Sequence, residues 1–349
     1  MAFAEARSPR DDGVIETLLG RIAAGEDLSL DDMATTLGHV MEGRCSPGEI
    51  ALLLTGLHMK GETAEELAGA ATAMRRCMTP LRTTRQGLLD TCGTGGSGSG
   101  KFNVSTASAI VAAAAGVPVA KHGNRRVTGK SGSADVLAAL GVNVEADRQH
   151  VEVCLDQLGI CFCFAPLWHT AMKQVAAVRR ELGFSTIFNM LGPLANPASA
   201  SYQLVGVARS EALPLMAEAL AMLGAQRAVV VSGTDGLDEV TIAGTTEAVL
   251  VGQQPPKPFR WQPADFGLQP ASSESLVVAG PEDSAQMIRR VLAGEKGPPR
   301  DMVVLNAAAA LWTAEKAGTP RECAQLAIAA IDSRQAAELL ERLVELSHA

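Results

Sequence analysis

The residues best suited to chemistry lie between Gly93 and Asp135: GTGGSGSGKFNVST, an alanine-rich run, then VAKHGNRRVTGKSGSAD. From Gly93 to Gly100 five of eight residues are glycine, and the others are Thr94, Ser97 and Ser99. So little side-chain bulk lets backbone N–H groups approach an anion closely. The run Leu88–Leu89–Asp90–Thr91 ahead of the loop predicts a buried strand. Ser105 and Thr106 stand at the expected N-cap of a helix over Ala107–Ala115. Strand, glycine loop and helix N-terminus in that order make a phosphate cradle.

A second short strand, Val117–Ala120, runs into Lys121–His122–Gly123–Asn124–Arg125–Arg126. Strands adjacent in sequence commonly pair in an α/β sheet, so both loops are expected at the same edge. The basic residues Lys121, Arg125, Arg126 and Lys130 then lie beside the glycine cradle. A solvated basic turn is the plain alternative. The cluster, however, sits in a chain of net charge −8 and among Gly123, Gly129 and Gly132. Together the two loops point to a ligand carrying several phosphates.

A third candidate is acidic. The strand-like RAVVVS runs into GTDGLDEVTIAG, which sets Asp235, Asp238 and Glu239 on a loop at a strand end. In a turn, adjacent Asp238 and Glu239 can face one cation, and Mg²⁺ favours one or two carboxylates plus substrate phosphates. Arg179, on a predicted helix, either pairs with Glu181 or binds a carboxylate through its bidentate fork. The spacing Gly95 to Lys101 matches a P-loop, but Phe102 stands where the Mg²⁺-binding hydroxyl belongs and the helix starts late. A nucleoside-triphosphate hydrolase is therefore disfavoured.

The elements that must hold these residues are legible in outline. Residues 13–83 read as four helices, with Ser29 before the second, a capping box at Ser46–Glu49 and another at Thr63–Glu66. Short loops between them predict a small bundle of antiparallel neighbours. Leu52, Leu53, Leu54 and Leu57 give the third helix an apolar face, read as core first and as subunit contact second. Beyond it, Asp147 caps a helix before the buried strand ICFCF, and strands at Tyr202–Val207 and Arg227–Ser232 flank a helix. That βαβ pattern predicts a central, partly parallel sheet. Residues 253–273 are Pro-rich and read as a peripheral excursion.

Length and composition bound the function. A chain of 349 residues with 47% hydrophobic content can bury a large core, divided into one large and one small domain. Only 3% of residues are aromatic, and the acidic balance argues against nucleic acid. Seven cysteines, a polar start and no long apolar span lead to an expectation of a reduced, cytoplasmic protein without membrane contact. Cys161 and Cys163 lack zinc-site spacing and read as core.

The motifs GTGGSGSGKFNVST, VAKHGNRRVTGKSGSAD, HTAMK…VRRELG…TIFNMLGPLANP and GTDGLDE, in this order, resemble the anthranilate phosphoribosyltransferase family across nearly the whole chain. The resemblance implies a large α/β domain with a central, partly parallel sheet plus a small N-terminal helical-bundle domain. The division expected is 1–83 for the helical domain, with about 170–195 packing with it, and 84–349 for the α/β domain. It also implies a homodimer through the helical domain, a site in the cleft between the domains, and Mg²⁺. The reaction implied moves the phosphoribosyl group of phosphoribosyl pyrophosphate to the amino group of anthranilate, in tryptophan biosynthesis.

Carried over by motif, Gly93, Thr94, Gly95, Gly96, Ser97 and Lys101 belong to the loop on phosphoribosyl pyrophosphate. Asn103, Val104, Ser105 and Thr106 follow them at its phosphate ends. Lys121, His122, Gly123, Asn124, Arg125, Arg126, Val127, Thr128, Gly129 and Ser133 complete that site. Gly93, Asn124, His169, Arg179, Gly192 and Pro193 are implied to face anthranilate. Ser105, Asp238 and Glu239 are implied to hold the metal. No residue is assigned a bond-making role: Arg179, Asn124 and His122 position the reactants, and His122 reads as a hydrogen-bond partner rather than a base.

Two positions depart from the family pattern, Ser97 for Asp and Lys101 for Thr. They are expected to tighten attraction for pyrophosphate. A nucleoside phosphorylase of related fold and a nucleic-acid-binding relative are the alternatives. The first fits GTGGSG and the Asp238–Glu239 pair less well, and the second calls for a basic face, which a net charge of −8 makes hard to assemble.

Overall fold

The computed structural model describes residues 12–95, 98–125, 131–252 and 255–349. The chain opens on helices α1 (Asp12–Ala23), α2 (Leu30–Met41), α3 (Pro47–Lys60) and α4 (Ala64–Cys77). Ser29 caps α2, and both expected capping boxes form, at Ser46/Glu49 and Thr63/Glu66. Each side chain takes up an N–H group that the helix leaves without an internal partner.

The chain continues through β1 (Leu89–Gly93), α5 (Val104–Ala114), β2 (Val119–Gly123), α6 (Ser133–Ala139), α7 (Arg148–Leu158), β3 (Ile160–Phe164) and α8 (Ala165–Trp168). After α9 (Lys173–Leu182) and α10 (Phe188–Leu191) come β4 (Tyr202–Gly206), α11 (Ala212–Met222), β5 (Arg227–Gly233), β6 (Thr246–Val251) and β7 (Lys257–Trp261). Helices α12 (Pro281–Leu292), α13 (Pro298–Thr313), α14 (Pro320–Asp332) and α15 (Gln335–His348) close it.

Two compact units result: the chain up to Thr79 with His169–Ala195, and Pro80–Trp168 with Asn196–Ala349. In the first, α2 packs chiefly on α4 and α1 on α3, so alternate helices pair more closely than consecutive ones. Glycines explain this departure from the expected arrangement. A Cβ on Gly69 would fall 2.3 Å from the Leu30 carbonyl oxygen, and one on Gly56 would fall 2.3 Å from Ile22. Helix axes approach closely only where such bulk is missing. Leu53, Leu54 and Leu57 are buried as expected of core, whereas Leu52 stays exposed.

The second unit is a seven-stranded sheet in the order β3-β2-β1-β4-β5-β6-β7. Strands β1 to β5 are parallel, and β6 and β7 are antiparallel. The strand order reverses between β1 and β4. In an open α/β sheet, ligands bind outside the carboxyl ends of the strands at that switch. The alanine-rich α5 packs against α13, whose length is almost wholly buried.

Residues 253–273 are not the excursion that their prolines predict. They contain β7 and bury Trp261 and Phe266. Pro258 is compatible with β7 because this is the sheet's last strand, where alternate N–H groups point away from the sheet. Trp261 stacks edge-on with Phe259, Phe266 and Trp312 at centroid distances of 4.9, 5.4 and 5.3 Å. All seven cysteines are free thiols, and Cys161 and Cys163 are core residues of β3. Among the described residues no helix is long and apolar enough to cross a membrane.

Candidate active site

The glycine loop leaves β1 at the switch point. Gly93 is the register partner of Gly206 on β4, and the Thr94 N–H donates to the Gly206 carbonyl at 2.9 Å. Gly95, Gly98 and Gly100 take φ of 68°, 60° and 64°, the left-handed region where side chains are strained. The far end is anchored: the Phe102 N–H donates to Leu276 O and the Val278 N–H to Gly100 O, both at 2.9 Å. Phe102 is itself buried. Gly96 and Ser97 lie outside the described residues.

Helix α5 is capped by Asn103 rather than by Ser105 or Thr106. The Asn103 Oδ1 accepts from the Thr106 N–H at 3.0 Å and from the Ser105 hydroxyl at 3.3 Å. The Ser–Thr pair is the more conspicuous cap in the sequence, but Asn103 satisfies the N3 donor from the preceding position. Val104, Ser105 and Thr106 therefore form the first turn, with Val104 and Thr106 buried. The Thr106 hydroxyl has no hydrogen-bond partner among the described residues.

Lys121 reaches this turn from β2. Its Nζ donates to the Thr91 carbonyl and, at 3.2 Å, to the Ser105 hydroxyl. Behind it sits Asp90, fully buried, whose carboxylate accepts from the His122 N–H at 3.1 Å and the Asn196 amide at 2.8 Å. The same Asn196 amide donates to Ala120 O at 2.8 Å. Burial pulls the Lys121 pKa down, opposed by Asp90, Cys92 and Glu239; burial likewise pushes Asp90 up, opposed by Lys121, Asn196 and the His122 N–H. Each charge offsets part of the other's burial cost. Asp90 and Asn196 are not among the residues that the motifs imply for the site. The signal was a carboxylate in the middle of LLDTC, which a buried strand admits only with a partner.

The acidic loop crosses the ends of β1 and β4. A Cβ on Gly206 would fall 1.8 Å from the Asp238 carbonyl oxygen, and one on Gly93 would fall 3.2 Å from the Asp238 carboxylate. Asn306 of α13 clamps the loop, its Oδ1 accepting from the Val240 N–H and its Nδ2 donating to Val240 O, both at 2.9 Å. Glu239 lines a small pocket with Thr91, Ser105 and Asn306. Burial, then repulsion from Asp238, raises its pKa to about 8, against Lys121 and a hydrogen bond from the Ser105 N–H. Asp235 lies one turn earlier, with its carboxylate 3.7 Å from the Lys101 ammonium.

This donor set fits a hard divalent cation. Two carboxylates are adjacent at a strand end, and Glu239, its pKa raised to about 8 by burial and by Asp238, shares a small pocket with Ser105. Among the described residues no three His, Cys, Asp or Glu side chains form a complete metal cage. Mg²⁺ bound there would draw its remaining oxygens from a phosphate ligand and water.

The rest of the basic loop is divided. His122 is buried, and Gly123 admits Ser133, whose Oγ would be 2.1 Å from a Cβ there. The exposed Asn124 accepts through its carbonyl from the Ala134 N–H at 3.2 Å. Arg125 turns to surface acids, pairing with Glu145 at 2.6 Å and Asp135 at 3.6 Å, with its guanidinium 5.5 Å over Phe164. Arg126, Val127, Thr128 and Gly129 lie outside the described residues.

The remaining predicted residues belong to the helical unit. Arg179 on α9 donates to Asn189 Oδ1 at 3.4 Å and lies 5.2 Å over Phe188. Burial lowers its pKa, and no acidic side chain pairs with it among the described residues, Glu181 included. His169 is buried, and Gly192 and Pro193 form a 3₁₀ turn with Leu194. Arg75 of α4 fastens that turn by donating from Nε to Leu194 O at 2.6 Å. Thus Gly93, Thr94, Ser105, Lys121, Asp238 and Glu239 converge at one sheet edge, while His169, Arg179, Gly192 and Pro193 sit on the helical unit.

Known proteins match both units. Residues 16–78 fit the helical bundle domain of the glycosyl transferase family, and residues 85–337 fit its a/b domain. Anthranilate phosphoribosyltransferase of Desulfitobacterium hafniense (strain Y51) is 47% identical over 329 residues, 94% of this chain and 98% of the relative. The Rhodopirellula baltica enzyme of the same name is 46% identical, over 92% of this chain and 94% of that one. The crystal structure of the Thermus thermophilus enzyme superimposes with a TM-score of 0.90 at 44% identity, covering 95% and 99% of the two chains. The Saccharomyces cerevisiae enzyme in complex with PRPP and Mg gives 0.88 at 28% identity, covering 97% and 98%. The chain belongs to the anthranilate phosphoribosyltransferase family.

Proposed function

We propose that the protein transfers the phosphoribosyl group of phosphoribosyl pyrophosphate to the amino group of anthranilate, giving N-(5-phosphoribosyl)anthranilate and pyrophosphate. The observation that carries this reading is the convergence of the glycine loop, the first turn of α5, Lys121 and the Asp238–Glu239 pair. A glycine-rich loop, the positive end of a helix and an ammonium attract phosphates, and the acidic pair answers to a cation that accompanies them. Ser105, Asp238 and Glu239 would hold Mg²⁺, which when bound neutralises charge on the leaving pyrophosphate.

In the reaction, the aromatic amine attacks the anomeric carbon, the bond to pyrophosphate oxygen breaks, and the amine proton passes to solvent. The amine is neutral at pH 7, so no strong base is required. The Lys121 ammonium and the positive end of the α5 dipole offset the negative charge that grows on the leaving group. Arg179, with no acidic partner among the described residues, is read as the fork that binds the anthranilate carboxylate. His169, Gly192, Pro193 and Asn124 are read as its surroundings, and His122 as a positioning hydrogen-bond group. Catalysis then rests on orienting two bound reactants.

The protein is further read as a cytoplasmic homodimer associating through its helical unit, whose exposed Val14, Leu52 and Met59 offer apolar surface. Its acidic balance gives no support to nucleic-acid binding. Loss of anthranilate fluorescence on adding phosphoribosyl pyrophosphate tests the reaction. A Mg²⁺-dependent decay, abolished in Arg179→Ala, is expected. Binding of phosphoribosyl pyrophosphate without decay would mean another acceptor amine.

A further inference from the structure

The two loops assigned to the phosphoribosyl donor come from distant parts of the chain and are anchored to different supports. The glycine loop is fastened at its far end by backbone bonds to Leu276 and Val278 and by the buried Phe102. The acidic loop is fastened by Asn306 at Val240 and by the bond from the Gly233 N–H to Leu237 O. Between Gly98 and Lys101 on one side and Thr234 and Glu239 on the other, one ion pair forms among the described residues: Lys101 with Asp235 at 3.7 Å.

Both partners are held in place. The Lys101 side chain is only 12% exposed and that of Asp235 24%, so solvent screens the pair incompletely. Lys101 is also fixed by its backbone, which forms an isolated bridge with Val277. The Asp235 carboxylate accepts from the Thr241 hydroxyl at 2.9 Å, which orients it. A loop of five glycines in eight residues cannot brace itself through side-chain packing. The residue that ends it carries the charge that meets the opposite loop.

We propose that Lys101 and Asp235 form a clasp that sets the spacing between the glycine loop and the acidic loop, making both positioning residues for donor binding. This rests on the donor-site reading above but assigns Lys101 a different partner from the one its sequence position implies. It holds the loop to the acidic corner rather than drawing pyrophosphate directly. The proposal makes the two residues thermodynamically coupled, which a direct pyrophosphate contact would not.

Steady-state kinetics of Lys101→Met, Asp235→Asn and the double variant test it. Each single variant is expected to raise KM for phosphoribosyl pyrophosphate about fivefold, the size of one partly buried ion pair. The double variant is expected to be no worse than either single one. Lys101→Arg keeps the charge and recovers most of the loss, and KM for anthranilate serves as the internal reference. A lower KM in Asp235→Asn overturns the clasp, because it would show Asp235 competing with pyrophosphate for the lysine. Effects that multiply in the double variant overturn it as well. Amide hydrogen exchange separates the clasp from the assigned reaction: Gly98–Phe102 should exchange faster in both single variants, and unchanged exchange counts against the clasp even if no turnover is found. A wild type that binds no donor overturns the functional reading instead.

Discussion

Strands β3, β2, β1, β4 and β5 run parallel, and β1, β2 and β5 lead into the glycine, basic and acidic loops, whereas beyond the antiparallel β6 the last strand β7 carries proline and stacked aromatic rings. On the parallel side, buried polar groups are paired in chains: Asn196 to Asp90, Lys121 to Ser105, Asn306 to Val240. On the antiparallel side, Trp261, Phe259, Phe266 and Trp312 fill space against one another. One half thus spends its buried positions on fixing charged groups, and the other on apolar area. Substitutions in the two halves should accordingly be felt in different measurements.

The largest loss of stability is expected on the aromatic side. Trp261→Ala removes a buried indole and should cost about 3–5 kcal/mol, read by denaturant unfolding. KM for both substrates of the folded protein should hardly change, and a marked rise would erase the division between the halves.

Two glycines sharpen it. A Cβ on Gly206 meets the Asp238 carbonyl at 1.8 Å, and one on Gly252 meets the Gln226 carbonyl at 2.4 Å, with φ of 111° besides. Each substitution by alanine should cost about 1–3 kcal/mol. Only Gly206→Ala should also raise the Mg²⁺ concentration needed for half-maximal activity, because only there does the displaced backbone carry a candidate ligand.

A smaller effect concerns pH. Glu239 is raised to about 8 from a usual value of 4.5 in the metal-free protein. It therefore favours folding below the unfolded value, and that contribution is lost as pH rises from 4.5 through about 8. Relative to Glu239→Gln, the metal-free wild type should lose melting temperature between about pH 5 and 8, and Mg²⁺ should restore it at about pH 8. Parallel melting curves across that range would contradict the burial of this carboxylate.

Much of the parallel half was legible in the sequence, because its signals are local. A glycine-rich loop between a strand and a helix, a basic loop after the next strand and an acidic turn after another were all visible in their own segments. The caps at Ser46 and Thr63 were legible for the same reason. What failed was of two kinds. Strand β7 hid behind Pro258, since a proline reads as a breaker unless the strand is known to lie at an edge. The pairs Asp90–Asn196 and Lys101–Asp235 join residues far apart in sequence, and no local pattern announces such partners. Asn103 was overlooked as the cap because Ser105 and Thr106 offered the same chemistry two residues later.

The central claim is that the carboxyl edge of the parallel strands binds the phosphoribosyl donor. Calorimetric titration of phosphoribosyl pyrophosphate with Mg²⁺ into wild type and Asp90→Asn/Lys121→Met tests it most directly, the double variant leaving no buried charge unpaired. Kd should weaken at least about tenfold through loss of the charged donor, in a protein whose melting confirms that it is folded. Equal affinity in the folded variant would contradict the claim and move the donor away from Lys121.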